Sequence, residues 1–410
     1  MLCETPSLSR RAFLGGTGAL FAWANMPKFA FAAGNRDARF ICIVLRGALD
    51  GLSTVAPYGD PDYAGLHGSI ALAADGPMPA LPLDGFFLLN PAMPNFARLY
   101  KDGQALAVHA VATPYRERSH FDGQDVLESG QAGPNLAESG WLNRLVGSLP
   151  AGDAVTRQGC LGVGAVAPLI ARGPAPIMGW APQFAPRATS DTAMRLLDLY
   201  AARDPVLGVA LHQGLETDKL ASGDPMNAAM GKPRGGPDNP QGMVQVAEGA
   251  ARIMAAEDGP RIAALALEGW DTHAREGGAT GRLATLLGGL DGALAAFEQG
   301  LKPYWKDTAI LVVTEFGRTV RINGTDGTDH GTGTVALLVG GAVKGGRVIA
   351  DWPGLKPTQL YQNRDLMPAT DLRAVFKGVL TDLYGASQGV LGERVFPGSL
   401  GVAPMAGLIT

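Results

Sequence analysis

Unbroken apolar runs and helically spaced ones alternate along this chain. From Thr308 to Val313 every residue is apolar or β-branched, between polar Lys306-Asp307 and the Glu315-Phe316-Gly317 that comes after Thr314. Such a run predicts a strand buried on both faces, as in a parallel sheet covered by helices. Arg39 to Leu45, Ala105 to Ala112, Ile262 to Leu267 and Thr334 to Gly341 read the same way, and Leu161 to Val166 is a further candidate. Between them, apolar residues at helical spacing (Leu283, Leu286, Leu287, Leu290, Leu294, Phe297) predict a packed helix over 279–299. It joins the 262–267 strand to the 308–313 strand in the order of a βαβ unit. Pro94 to Gly103, a segment opening near Ser119 and running to about Glu128, Trp141 to Val146, Asp191 to Arg203, Val244 to Ala256 and Asp371 to Tyr384 also read as helices. Loops are expected over 58–83 and 222–242, where Gly, Pro, Asn and Asp recur. The fold class is therefore α/β, a mostly parallel central sheet sandwiched by helices.

The candidate chemistry sits just past the strand ends. The first strand runs into Asp50, the 262–267 strand into Asp271 and His273, and the 308–313 strand into Glu315, with Asp329 and His330 soon after. In open α/β sheets, sites gather beyond the carboxyl ends of the strands. Carboxylates and imidazoles are the donors that hold divalent Zn, Mn, Mg or Ca, which makes Asp50, Asp271, His273, Glu315 and His330 candidate metal ligands. In an extended segment, Asp271 and His273 fall on one side and can grip one ion. Any one Asp after a strand is more often a turn former or helix cap. What favours a site is concurrence, because three of the six histidines (His120, His273, His330) lie beside acids at loop starts. His67, His109 and His212 lack acidic neighbours in the sequence and read as structural.

Ser119-His120 supplies the nucleophile candidate, a serine at a helix N-terminus where unpaired N–H groups suit a phosphate or sulfate. Ser119 with Asp122 three residues on also fits a capping pattern, and spacing alone leaves both readings open. Arg116 and Arg118 can clamp an anion bidentately or stand solvated, and Arg46 and Arg318 pose the same choice. No Gly-x-Ser-x-Gly elbow and no strand–GxGxxG–helix order occurs, which argues against an α/β-hydrolase and a dinucleotide site.

Composition narrows the setting. Across 410 residues, 46% hydrophobic and 18% charged is ordinary for a globular chain with a sizeable core, and a net charge of −4 leaves no nucleic-acid footprint. The start is different. Ser9-Arg10-Arg11-Ala12-Phe13-Leu14, a short Gly-rich apolar run and Ala30-Phe31-Ala32-Ala33 compose a twin-arginine export signal over 1–33. That run is too short to span a bilayer, and no later segment is long and charge-free enough. Residues 34–410 are then expected to form a single α/β domain with a helical and loop insertion around 131–260, periplasmic or secreted, with the twin-arginine machinery as export partner and no stable membrane insertion. Cys42, inside the first strand, reads as a small buried hydrophobe.

The leader together with LRGALDGL, RERSHFDGQ, EGWDTHARE, VVTEFGRT and DHGTGT resembles, over nearly the whole chain, the exported bacterial family known as domain of unknown function 1501. That family is similar in turn to the alkaline phosphatase and sulfatase superfamily. The resemblance implies an alkaline-phosphatase-like core, one or two divalent ions per chain and a small anionic ester substrate. It matches Asp50 to the first-strand metal aspartate, Ser119 to the nucleophile, Asp271 and His273 to the Asp/His pair and His330 to the final histidine. Glu315 falls where the superfamily has the Asp of an Asp-His-Gly turn, with Phe316 in place of that turn's His; a second ion is then absent or recruits His120. No Cys-x-Pro-x-Arg motif occurs, which by this comparison excludes a formylglycine sulfatase. The expectation is an exported metal-dependent hydrolase or transferase acting on phosphate or sulfate esters. In it Ser119 attacks, and Arg116 or Arg118 binds the anion. The alternative is a metal-binding or scaffold protein that keeps the fold without catalysis, and Phe316 favours it.

Overall fold

Strand β1 (Arg39–Leu45) is the axis of the molecule, and all seven of its residues are buried. The computed structural model describes residues 37–150, 159–182, 190–222 and 239–410. The leader read at 1–33 and most of the loop read at 222–242 lie outside them.

On one edge β1 pairs in parallel with β8 (Ile262–Leu267), Ile43 opposite Leu265. On the other it pairs in parallel with β9 (Thr308–Thr314), Ile43 opposite Val312. The sheet continues past β8 through β6 (Cys160–Val163) and β7 (Ile177–Trp180), and past β9 through β10 (Thr334–Val339), β5 (Ala105–Ala112) and β11 (Arg347–Ile349). A last strand, β12 (Thr370–Asp371), also pairs with β5. Of these described strands, only β10 runs against its neighbours. Three short strands, β2 (Val55–Ala56), β3 (Leu81–Pro82) and β4 (Leu88–Leu89), make a separate antiparallel sheet.

The helices are α1 (Gly51–Thr54), α2 (Tyr63–His67), α3 (Pro94–Lys101), α4 (His120–Ser129), α5 (Trp141–Val146), α6 (Ser190–Arg203), α7 (Pro205–Ser222), α8 (Pro240–Ala255), α9 (Arg282–Gly300) and α10 (Leu372–Tyr384). Alternation along β1 sorts them onto two faces. Ile41, Ile43 and Leu45 pack with residues of α3, α8 and α9, and Phe40, Cys42 and Val44 with α5 and α10. Each aliphatic side chain so buried stabilises the fold by about 1.5–3 kcal/mol. Cys42 and Cys160 are buried, free thiols.

The mostly parallel, helix-sandwiched sheet thus forms as the apolar pattern predicts. The short strands β7, β11 and β12, and helix α2 within the expected 58–83 loop, carry no such pattern. Two larger departures stand beside them. Strands β8 and β9 are not neighbours but flank β1, so α9 crosses over β1 on its way between them. The second departure is α7, which the sequence did not suggest: Val206, Leu207 and Val209 are exposed, so its pattern offers no apolar stripe to read. Among the described residues, no helix is long and apolar enough to cross a membrane.

The carboxyl ends of β1, β8 and β9 lie side by side. Their loops touch closely enough that a Cβ on Gly47 would fall 2.5 Å from the backbone nitrogen of Asp271, and its φ of +120° favours glycine as well. That contact brings acids distant in sequence to one place.

Candidate metal centre

Three imidazoles converge on one carboxylate oxygen at this edge. His273 Nε2 lies 3.1 Å from Asp271 Oδ1, and the Nε2 atoms of His120 and His330 each lie 3.5 Å from it. His273 Nε2 and His330 Nε2 are 3.0 Å apart. Separate pieces of backbone supply them: Asp271 and His273 come from the loop after β8, His330 from the loop before β10, and His120 from the first residue of α4. Among the described residues, ligand atoms of His120, Asp271 and His330 all lie within 4.8 Å of one another.

The opposite nitrogen of each ring fixes its tautomer. His120 Nδ1 is 2.8 Å from Glu315 Oε1, His273 Nδ1 is 3.3 Å from Asp329 Oδ1, and His330 Nδ1 is 2.9 Å from the carbonyl of Arg118. An ionised carboxylate or a carbonyl only accepts, so each Nδ1 carries the proton and each Nε2 presents a lone pair to the centre. Two lone pairs facing each other at 3.0 Å repel unless a cation or a proton lies between them. His120 Nε2 is buried and has no hydrogen-bond partner. Orphaned imidazole lone pairs, each backed by an acceptor on the far nitrogen, are the donor arrangement of a metal centre. Two Zn–N bonds of about 2.0–2.1 Å at a tetrahedral angle place their nitrogens roughly 3.4 Å apart. The residues therefore fit a divalent ion.

Surrounding charges and burial shift these groups in different directions. The hydrogen bond that His120 donates to Glu315 raises the His120 pKa, against a smaller effect of burial. Burial lowers that of His330, and the charges of His120 and Arg318 add to it. For Asp271, burial pushes upward but the Arg318 guanidinium outweighs it and holds the carboxyl below its ordinary value.

Arg318 organises the floor. It is 1% exposed, and its guanidinium donates to the carbonyls of Ala48 (2.7 Å), Gly47 (2.6 Å), Trp270 (3.2 Å) and Thr328 (3.2 Å) and to Asp271 Oδ1 (2.5 Å). Three loops are thereby tied to one planar group. It does not face outward as an anion clamp.

Among the other expected site residues, Glu315 stands behind His120. Its Oε1 accepts from Gly47 N–H (2.9 Å), His120 and Gln124 (3.2 Å), and its Oε2 from the Thr314 hydroxyl (3.0 Å). Burial pushes its pKa up, but these donors, His120 foremost, bring it below the ordinary range. Asp50 is not brought to the three imidazoles. Its Oδ1 caps α1 through Leu52 and Ser53 N–H (2.8 and 3.2 Å), and its Oδ2 faces His67 Nε2 at 3.1 Å. His67, without acidic neighbours in sequence, thus gains one in space. His109 is buried with Nε2 against the Val55 carbonyl (2.8 Å), and His212 is exposed on α7.

Ser119 precedes α4, and its side chain makes no capping bond to the helix. Its backbone N–H donates to the Tyr115 hydroxyl at 3.2 Å. Arg118 pairs with buried Asp365 (2.8 Å) and Gln362 (2.6 Å); its φ of 62° turns its carbonyl to His330. Arg116 donates to the carbonyls of Thr113 and Tyr115, and Arg46 pairs with Glu128 and Glu268.

The sequence undervalued two groups. Asp329 stands beside His330 yet serves His273. Phe316 is a wall, its ring 5.1 Å from that of His120 and stacked on it, and 5.3 Å from that of His330. Neighbouring acids in the sequence signalled Asp329; nothing local signalled the stacking.

Three residues past His273 lies Glu276, fully buried, with Oε1 unpartnered and Oε2 accepting from Thr328 at 2.6 Å. Burial, helped by the charge of Asp50, pushes its pKa up to about 8. A carboxyl raised in the folded state favours folding while protonated. That contribution is complete below the unfolded value of about 4.3 and is lost as pH rises through about 8. Urea unfolding from pH 5 to 9 should therefore show stability falling with pH, and Glu276→Gln should flatten the fall. An equally steep decline in the variant would show that the carboxyl is not its source.

The family described as "Protein of unknown function (DUF1501)" matches residues 91–395. No curated protein matches the chain. Among solved structures, the phosphonate monoester hydrolase of Agrobacterium radiobacter is similar at 13% identity and TM-score 0.36, over 84% of this chain and 73% of that one. The C-terminal periplasmic domain of EcEptC from Escherichia coli, in complex with Zn, is similar at 11% and 0.37, over 76% and 75%. A protein in the alkaline phosphatase superfamily from Vibrio parahaemolyticus is similar at 13% and 0.29, over 76% and 62%.

Proposed function

The chain belongs to the DUF1501 family, and we propose that within it this protein is an exported, metal-dependent hydrolase or transferase of phosphate or sulfate esters. One observation carries the reading: three imidazole lone pairs, each fixed by an acceptor on the opposite nitrogen, meet at Asp271. The ion class is divalent, and such an ion supplies Lewis-acid polarisation of an ester's anionic oxygens.

The chain's own groups then act in named roles. Asp271, His273 and His330 hold the ion, together with His120, and Glu315 holds the His120 tautomer from behind. The Ser119 hydroxyl, half-buried one residue before His120, displaces the alcohol from the ester, its proton ending on that alcohol. Water then displaces the serine oxygen, restoring the hydroxyl and releasing the free acid. The alkaline-phosphatase-like motif order of the sequence supports this assignment, with the twin-arginine leader supporting export.

The test is turnover of aryl phosphate and aryl sulfate esters by metal-loaded protein. Ser119→Ala should lower the rate by on the order of 10³-fold or more while leaving metal content unchanged. Equal rates in the two proteins would remove Ser119 from the mechanism.

A second reading has an observation of its own. The guanidinium groups of Arg46, Arg116, Arg118 and Arg318 all bond to oxygens of the protein itself. That favours a metal-binding protein without ester chemistry, which would hold the ion and turn over neither substrate.

A further inference from the structure

The number and kind of the ion can be read from which donors remain unengaged, an inference that rests on the metal-dependent function proposed for this site. We infer that the centre is mononuclear, that His120, His273, His330 and Asp271 are its protein ligands, and that it takes a borderline transition ion of the zinc, iron, cobalt or nickel kind in preference to calcium or magnesium.

Two carboxylates expected as ligands are already engaged. Glu315 Oε1 accepts three hydrogen bonds, and its Oε2 shares the single Thr314 hydroxyl proton with the Leu45 carbonyl. Both Asp50 oxygens are bonded as well, to α1 and to His67. Turning either toward a second ion would strand buried donors, at a cost of about 1–3 kcal/mol for each.

The flank beside His120 and His330, moreover, is filled by a buried ring. Phe316 is 2% exposed and packs with Ala48, Tyr115 and Val126 while its face rests on His120. Helix α4 accommodates that ring through Gly123, whose Cβ would fall 3.0 Å from it. An aromatic ring there offers no lone pair, and it occupies the volume a second ion would need. Among the described residues, the trios of His, Cys, Asp or Glu found with ligand atoms within 4.8 Å of one another, His120–Asp271–His330 and Asp271–His273–His330, both belong to this one centre.

Donor chemistry selects the ion. Calcium takes six to eight oxygens and magnesium an oxygen-rich octahedron that keeps its waters. Three imidazoles and one carboxylate suit zinc, iron, cobalt or nickel. The Asp271 oxygen is shared with Arg318, which weakens it as a donor and leaves the imidazoles to dominate the choice.

The full chain should be stripped with chelator and reloaded separately with Zn, Co, Mn, Mg and Ca. Ions per chain are counted by mass spectrometry, and cobalt coordination is followed by visible absorption. One ion per chain is expected for zinc and cobalt, with an intense four- or five-coordinate cobalt spectrum and no displacement by equimolar calcium or magnesium. Glu315→Gln should keep one ion with affinity lowered roughly 10–100-fold, the effect of an outer partner. Two ions per chain, displacement by calcium, or a folded Glu315→Gln protein without metal would each overturn the inference. Ester turnover in the same preparations separates it from the function it rests on. One ion without turnover rejects the hydrolase and leaves the mononuclear centre; two ions with turnover do the reverse; no ion rejects both.

Discussion

His330→Ala should leave the folded protein without a stoichiometric ion and, under the proposed function, abolish ester turnover. Its Nδ1 is held by the Arg118 carbonyl, and its Nε2 lies within 3.5 Å of both Asp271 Oδ1 and His273 Nε2. Removing the ring deletes an inner donor, where removing a partner that merely orients a ligand costs about 10–100-fold in affinity. The loss should therefore exceed that range, and metal should fall well below one ion per chain at micromolar zinc. Alanine also takes away the ring Phe316 packs against, so circular dichroism is needed to show that the fold survives. His212→Ala, exposed on α7, is the matched control and should keep the wild-type ion. A folded His330→Ala protein that still carries a full ion would remove this histidine from the centre, and with it the convergence on which the proposed function rests.

Much of this arrangement is legible in the sequence. β1, β5, β8, β9 and β10 are readable because a strand buried on both faces leaves a run of apolar residues with no gaps. The strand ends then point to Asp271, His273 and His330. Which acid serves the centre and which supports it is not legible. Asp50 and Asp271 both come after buried strands, yet Asp50 faces α1 and His67 while Asp271 faces three imidazoles. Only the path of the loops decides this, and the loops are fixed by contacts such as Gly47 against Asp271 that no local pattern encodes. His120 reads in the sequence as a neighbour of the nucleophile. Its place among the imidazoles depends on α4 packing against Phe316, a contact between residues nearly two hundred positions apart.

Arg318→Met should be the most destabilising single change near the site, with an expected loss of about 3–4 kcal/mol. The guanidinium donates to four backbone carbonyls from three loops, those of Gly47, Ala48, Trp270 and Thr328. Methionine fills much of the same volume with no donor, so buried carbonyls lose their partner at about 1–3 kcal/mol each, part of it recovered by relaxation and water. Lysine keeps the charge but not the planar fork. It can reach one or two of these acceptors, and Arg318→Lys should regain less than half of the loss. Urea unfolding should be run in chelator, because an ion bound only to the folded state would add its own stabilisation and hide the effect of the substitution. A loss below about 1 kcal/mol with an unchanged denaturant slope would mean that the loops hold their places without the guanidinium. The larger loss would mean that the residue closing the floor of the site also sets the carboxyl edge of the sheet, so that the geometry of Asp271 and the stability of the fold depend on the same side chain.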